Sequence, residues 1–110
     1  MGWVQGLSVR ILTHESARIG HRPIIEAIRE SAQAYGLMTV RVTRGIAGWT
    51  LSGGFRTADW VDVSNDLPFV IEIVDCATKI EAILPNIMAL GAHHMIAITE
   101  AQLFNADRAD

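Results

Sequence analysis

The side chains able to do chemistry in this 110-residue chain fall mainly in three short segments. The first, His14–Arg22, carries His14, Glu15, Arg18, His21 and Arg22. The second begins at Arg44-Gly45-Ile46-Ala47-Gly48, and the third holds His93 and His94. Imidazoles beside a carboxylate suit zinc or copper. Adjacent residues of a strand point to opposite sides, however, so His93 and His94 do not share one ion, and no metal ligands are assigned. Arginines suit an anion. Arg22 stands just before a segment that reads as a helix, whose first turn is the positive end. Arg44 is followed by glycines whose backbone N–H groups can approach a phosphate closely. Glu15, Arg18, Arg22, Arg44, Gly45, Gly48, His93 and His94 are therefore candidate effector contacts, with ordinary solvated charge as the alternative. No catalytic residue is assigned, because Cys76 lies beside a helix start without a placed base.

The elements that must position these groups follow from periodicity. Val4–Thr13 alternates as a strand, with Leu7, Val9 and Ile11 on one face. Pro23 opens a helix as its first residue, and Pro23–Tyr35 carries an apolar stripe of Ile24, Ile25, Ala27, Ile28, Ala32 and Tyr35 that Gly36 terminates. Leu37–Thr43 and Leu67–Asp75 read as strands. Ala77–Leu90 reads as a helix, with Thr78 and Glu81 as a capping box or Asp75 as a rival cap. Pro85 should kink or break it, and Gly91 should stop it. His94–Thr99 is a last strand, and residues 100–110 form a polar tail with structure only around Leu103 and Phe104. This order, βαββαβ, is the α+β ferredoxin-like plan: a four-stranded antiparallel sheet with two helices on one face. Its connections bring the three chemical segments to one end of the sheet.

Two helices cover one side of such a sheet. The rows Leu7/Val9/Ile11, Met38/Val40/Val42 and Phe69/Ile71/Ile73 should lie beneath them. The other face holds Ser8, Arg10, Leu12, Thr39, Arg41, Val70, Glu72 and Val74. That mixture is too apolar for a free surface, and it supplies Arg10 and Arg41 as partners for Glu72. An oligomer burying the face satisfies both requirements, since buried charges need partners.

Between the second and third strands lies an arm of about twenty residues, Arg44–Asp66, several times a usual hairpin loop. It carries four glycines, no proline and the aromatics Trp49, Phe55 and Trp60. Exposed apolar surface on this scale marks interaction sites, so these three are candidate contacts to a partner protein; the alternative is that they fold back on their own chain. Composition narrows the rest. The chain is long enough for one domain, residues 1–110. A net charge of −3 argues against a general nucleic-acid binder. There is no apolar run of about 18 residues to insert in a membrane, nor the pattern of a signal peptide. A single cysteine fits a cytoplasmic protein.

The segments Ile11-Leu-Thr-His-Glu-Ser, Pro23-Ile-Ile-Glu-Ala-Ile, Arg44-Gly-Ile-Ala-Gly, Asp66-Leu-Pro-Phe-Val-Ile-Glu-Ile-Val-Asp and Lys79-Ile-Glu-Ala-Ile-Leu-Pro resemble those of PII-like signalling proteins. The resemblance is to the subfamily long catalogued only as a domain of unknown function, some of whose relatives are linked to inorganic-carbon uptake. It implies a homotrimer, a T-loop at residues 44–66, and small effectors held between subunits, adenine nucleotides being typical and bicarbonate a candidate companion. It further implies regulation without catalysis and a target such as a membrane transporter or an enzyme of carbon metabolism. PII proteins proper grip the outer ATP phosphates with a lysine-rich loop and later arginines. The matching stretches here, Leu90-Gly-Ala-His-His-Met and Thr99-Glu-Ala-Gln, contain neither residue. AMP or ADP is therefore the expected effector rather than ATP, and no cofactor is obligatory. The arm has no tyrosine to uridylylate; Tyr35 is the only one in the chain. The rival readings are a metal-binding trimer resembling the CutA proteins and a small nucleotide-hydrolysing enzyme.

Overall fold

In the computed structural model, the described residues are 2–37, 39–50, 54–57, 66–90 and 94–105. Four long strands form one antiparallel sheet: β1 (Gly2–His14), β4 (Thr39–Arg44), β7 (Pro68–Cys76) and β8 (Met95–Asn105), in the order β4-β7-β1-β8. Two-residue strands β2 (Arg18–Ile19) and β3 (Arg22–Pro23) pair with each other after β1. Helix α1 (Ile24–Ala34) follows, and α2 (Ala77–Leu90) starts directly after β7. Within the arm, β5 (Ala47–Thr50) and β6 (Gly54–Thr57) form a backbone hairpin with Ala47 opposite Thr57 and Trp49 opposite Phe55. The expected ferredoxin-like βαββαβ frame is thus present, with a small hairpin added inside the long connection.

The core is an isoleucine layer between sheet and helices. Val9, Ile11, Ile71 and Ile73 from the sheet meet Ile24 and Ile28 of α1 and Ile80, Ile83 and Ile87 of α2, all essentially inaccessible. Each such side chain gains about 1.5–3 kcal/mol from burial. The spacings 24/28 and 80/83/87 place these residues on one stripe of each helix. At the end of α1, Gly36 adopts φ +64°. Leu37 N–H reaches Ala32 O and Gly36 N–H reaches Gln33 O, which is the Schellman arrangement. Lys79 of α2 donates to Gly36 O at 3.0 Å, tying the two helices at that corner.

Several expectations are corrected. Pro23 is the N-cap of α1 (φ −56°, ψ 139°) and not its first helical residue; its extended ψ lets it end the short β2–β3 pair. Helix α2 continues through Pro85 without a break, held down by Ile83 and Ile87 on either side. Thr78 lies inside α2, so no capping box forms on it; instead the buried Asp75 carboxylate accepts from Cys76 N–H at 2.6 Å. Gly91 lies outside the described residues.

Two further corrections concern the sheet's edges. Val40 and Val42 share register with Ile73 and Ile71, yet they are 40% and 41% exposed. Strand β4 is the sheet edge, and the helices pack over its centre; Met38 lies outside the described residues. The polar tail is likewise a strand in its first half. Residues 100–105 continue β8, pairing from Leu7↔Glu100 to Gly2↔Asn105. Strand β7 has by then ended at Cys76, opposite Gly6, so Gly2–Gln5 and Gln102–Asn105 form a two-stranded ribbon beyond the sheet. Trp3 and Phe104 pack ring to ring on it, centroids 5.2 Å apart. Leu103 lies over Gly6, where a Cβ would come within 2.5 Å of its side chain. The radius of gyration, 15.3 Å, exceeds the roughly 13 Å of a compact chain this long.

Candidate functional site at the base of the arm

Strand β1 ends at His14 directly opposite Pro68, where β7 begins. The tripeptide His14-Glu15-Ser16 therefore meets both ends of the arm as they join the sheet. On the outgoing side, Gly45 N–H donates to Pro68 O at 2.8 Å. The Arg44 guanidinium lies side-on against Glu15, with Nε 3.2 Å from Oε2 and Nη2 3.3 Å from Oε1. On the returning side, Glu15 N–H donates to Leu67 O at 2.8 Å, and Leu67 N–H donates to Glu15 Oε1 at 3.3 Å. One carboxylate thus holds both stems.

Asp66 completes the junction. Its Oδ1 accepts from Ser16 N–H and from the His14 ring at Nδ1, both at 2.9 Å. Burial pushes its carboxyl up, but the Ser16 N–H, the His14 ring and the Ser16 hydroxyl outweigh that and hold it below the ordinary value. An ionised carboxylate only accepts, so His14 Nδ1 carries the proton in this contact. Ser16 Oγ approaches the same nitrogen at 3.2 Å. Serine, histidine and aspartate stand together, yet they do not form a hydrolytic triad: a nitrogen that donates to the carboxylate cannot take the serine's proton.

Gly48 at the arm's base serves the arm's own packing. Gly48 has φ +150°, and a Cβ there would lie 3.1 Å from Pro68 Cγ; one on Gly45 would lie 3.4 Å from Pro68 Cβ and O. Gly48 lets the arm lie close over Pro68, whereas a side chain at Gly45 would make ordinary contact with it. Ile46 between them is 80% exposed.

The expected site residues are not all gathered here. Glu15, Arg44, Gly45 and Gly48 are at this junction. His94 adjoins it through the buried Thr13, with Oγ1 and Nδ1 2.9 Å apart. Arg22 is paired with Glu30 of α1 at 2.8 Å, and Arg18 donates to His21 O within its own turn at 3.1 Å. Both guanidinium groups thus make local contacts, away from the Glu15–Arg44 junction. His93 and Trp60 lie outside the described residues, and Trp49 and Phe55 are placed only by backbone pairing. Among the described residues, no three His, Cys, Asp or Glu side chains converge as a metal site. Sequence reasoning missed Thr13, Ser16 and Asp66. Asp66 had a legible signal as the residue before Leu67-Pro68, but its partners lie 50 and 52 residues away and only the register reveals them.

A four-stranded sheet with two helices on one face and a long arm between its second and third strands defines the PII-like class of architecture. Two solved structures agree. CPII of Thiomonas intermedia K12, described as a nitrogen regulatory PII-like protein bound to ADP, AMP and bicarbonate, has a TM-score of 0.58 and 11% identity, covering 93% of this chain and 91% of that one. A protein of Thermus thermophilus described as PII-like and signalling has a TM-score of 0.59 and 13% identity, covering 94% and 91%. In sequence, the chain is 30% identical over 92 residues to the UPF0166 protein of Aquifex aeolicus (strain VF5), 84% of this chain and 86% of that protein. It belongs to the DUF190 family, described as an uncharacterized ACR, whose pattern it matches over residues 6–103.

Proposed function

We propose that this protein is a non-enzymatic PII-like regulator. Three copies enclose an effector site between subunits, where AMP or ADP binds, with bicarbonate as a companion ligand. The arm, its T-loop, then engages or releases a target such as a membrane transporter or an enzyme of carbon metabolism. The observation that carries this reading is Arg44, held half-exposed at the arm's base by Glu15. A cation there links any bound anion to the arm's position, and a ligand shifts the arm only by its differential affinity for the arm's states. The adenine nucleotides described with CPII support the ligand class.

The open sheet face supports the trimer. Arg41 pairs with Glu72, and Ser8 Oγ donates to the same carboxylate at 3.2 Å. Arg10, directly opposite Glu72, makes no ion pair among the described residues. Leu12 and Met95, opposite each other on this face, are 36% and 67% exposed. Copies meeting here would cover the apolar pairs and offer Arg10 a carboxylate.

Calorimetry with AMP, ADP and ATP, with and without bicarbonate, tests the reading alongside light scattering and product analysis. We expect a trimer that binds mono- and diphosphate without turnover, ATP being no more than about tenfold tighter than ADP because a third phosphate finds few partners. A monomer at micromolar concentration, or nucleotide hydrolysis, overturns it.

A further inference from the structure

We infer that Glu15 is a positioning residue: it presents Arg44 to an anion and couples that anion to the returning stem of the arm. The inference rests on the reading of Arg44 as an effector contact. A guanidinium has a side-on edge, Nε with one Nη, and an end-on edge formed by its two Nη atoms. Glu15 occupies the side-on edge, through Nε at 3.2 Å and Nη2 at 3.3 Å. The end-on edge is left for a phosphate or carboxylate, on a side chain that is 50% exposed against 27% for Glu15. An anion can therefore add to Arg44 without displacing Glu15.

The second part follows from the other bond of the same carboxylate. Oε1 also accepts from Leu67 N–H at 3.3 Å, and Leu67 is buried where the arm rejoins the sheet. Glu15 is itself fixed by its backbone N–H to Leu67 O. Arg44 and Leu67 are at opposite ends of the arm, yet they share one oxygen atom. Fixing Arg44 by an anion on its free edge fixes Glu15, and with it the amide on the far stem.

The sign of one substitution separates this role from plain electrostatics. A negative charge beside Arg44 opposes any incoming anion, so charge alone makes Glu15→Gln bind nucleotide more tightly. Positioning gives the reverse: a glutamine amide cannot accept on both side-on bonds, and Arg44 loses its fixed fork.

The experiment is AMP titration by calorimetry together with hydrogen exchange at Gly45 and Leu67, on wild type, Glu15→Gln, Arg44→Lys and Arg44→Ala, with melting curves to establish folding. We expect Glu15→Gln to bind AMP about tenfold more weakly, the loss of one charge-assisted contact. Arg44→Lys, which keeps the charge without the fork, should lose about as much. AMP should raise protection at Leu67 in wild type and not in Glu15→Gln. Without ligand, Arg44→Ala should already lower protection at Leu67, a readout that stands even if AMP does not bind. Unchanged or tighter AMP binding in folded Glu15→Gln, with binding lost in Arg44→Ala, overturns the positioning role alone. Unchanged AMP binding in Arg44→Ala overturns the effector reading of Arg44 instead. Unaltered exchange at Leu67 in every variant overturns the coupling.

Discussion

Adding one methyl group at Gly48 tests how firmly the arm is fastened. Gly48 has φ +150°, a region that side-chain-bearing residues avoid, and its Cβ would stand 3.1 Å from Pro68 Cγ. Holding a residue other than glycine there costs about 1–3 kcal/mol. If the whole domain bore a strain of about 2 kcal/mol, an unfolding entropy of roughly 2.1 cal/mol/K per residue over 110 residues would lower Tm by about 9 °C. The strain has a cheaper outlet. The β5–β6 hairpin has two strands of four residues, a size with marginal stability of its own. Lifting it off Pro68 removes the clash, so the cost cannot exceed the hairpin's own docking energy. For Gly48→Ala we expect a Tm within about 2 °C of wild type, faster exchange at Ala47–Thr50, and weaker AMP binding. Calorimetry and hydrogen exchange on the same sample read both. A fall of about 9 °C with hairpin protection intact would refute the argument, since the arm would then be part of the cooperative core.

Three further outcomes follow from particular contacts. Glu72→Ala removes the partner of Arg41, which is 70% exposed in a single chain, where such a pair contributes about 1 kcal/mol at most; covered by neighbouring copies its loss should cost about 3–5 kcal/mol, so light scattering should show dissociation on dilution. Ile71→Ala, in a fully buried site, should cost about 2–5 kcal/mol in urea unfolding. Asp66 has a folded pKa below its unfolded one, so its contribution is present above about pH 4 and is lost as pH falls through the folded value. Stability measured from about pH 6 to about pH 2 should fall less steeply in Asp66→Asn than in wild type.

The frame of the fold was legible because its core is written twice, by alternation in β1 and β7 and by three- and four-residue spacing in the helices. Val9, Ile11, Ile71 and Ile73 follow from alternation, and Ile24 and Ile28 from the stripe of the first helix. What pattern could not show is which strand lies at an edge. Val40 and Val42 alternate as well as Ile71 and Ile73, and only the order of strands leaves them half uncovered. Residues 100–105 failed for the converse reason: Glu100, Gln102 and Asn105 look like tail, and it is pairing with β1 that makes them strand. At the site, Glu15, Arg44 and the glycines could be brought together by topology. The diversion of Arg22 to Glu30 depends on a turn whose geometry no spacing rule gives.

Strand β7 passes into α2 with no residue between Cys76 and Ala77. A loop would let strand and helix find their alignments separately; here they are geared together. Sliding the strand by one residue would exchange its faces, bringing Glu72 into the place of Ile71 or Ile73, and would turn the helix by about 100°. Glu81, Leu84 and Met88 would then replace Ile80, Ile83 and Ile87 in the core for a slip in one sense; Lys79, Ala82 and Asn86 would do so in the other. Each misalignment is thus penalised in the sheet and in the helix at once. The near-continuous apolar run from Leu67 to Val74, in which Glu72 is the one charged residue, is held in a single register both by that charge and by the helix fused to its end.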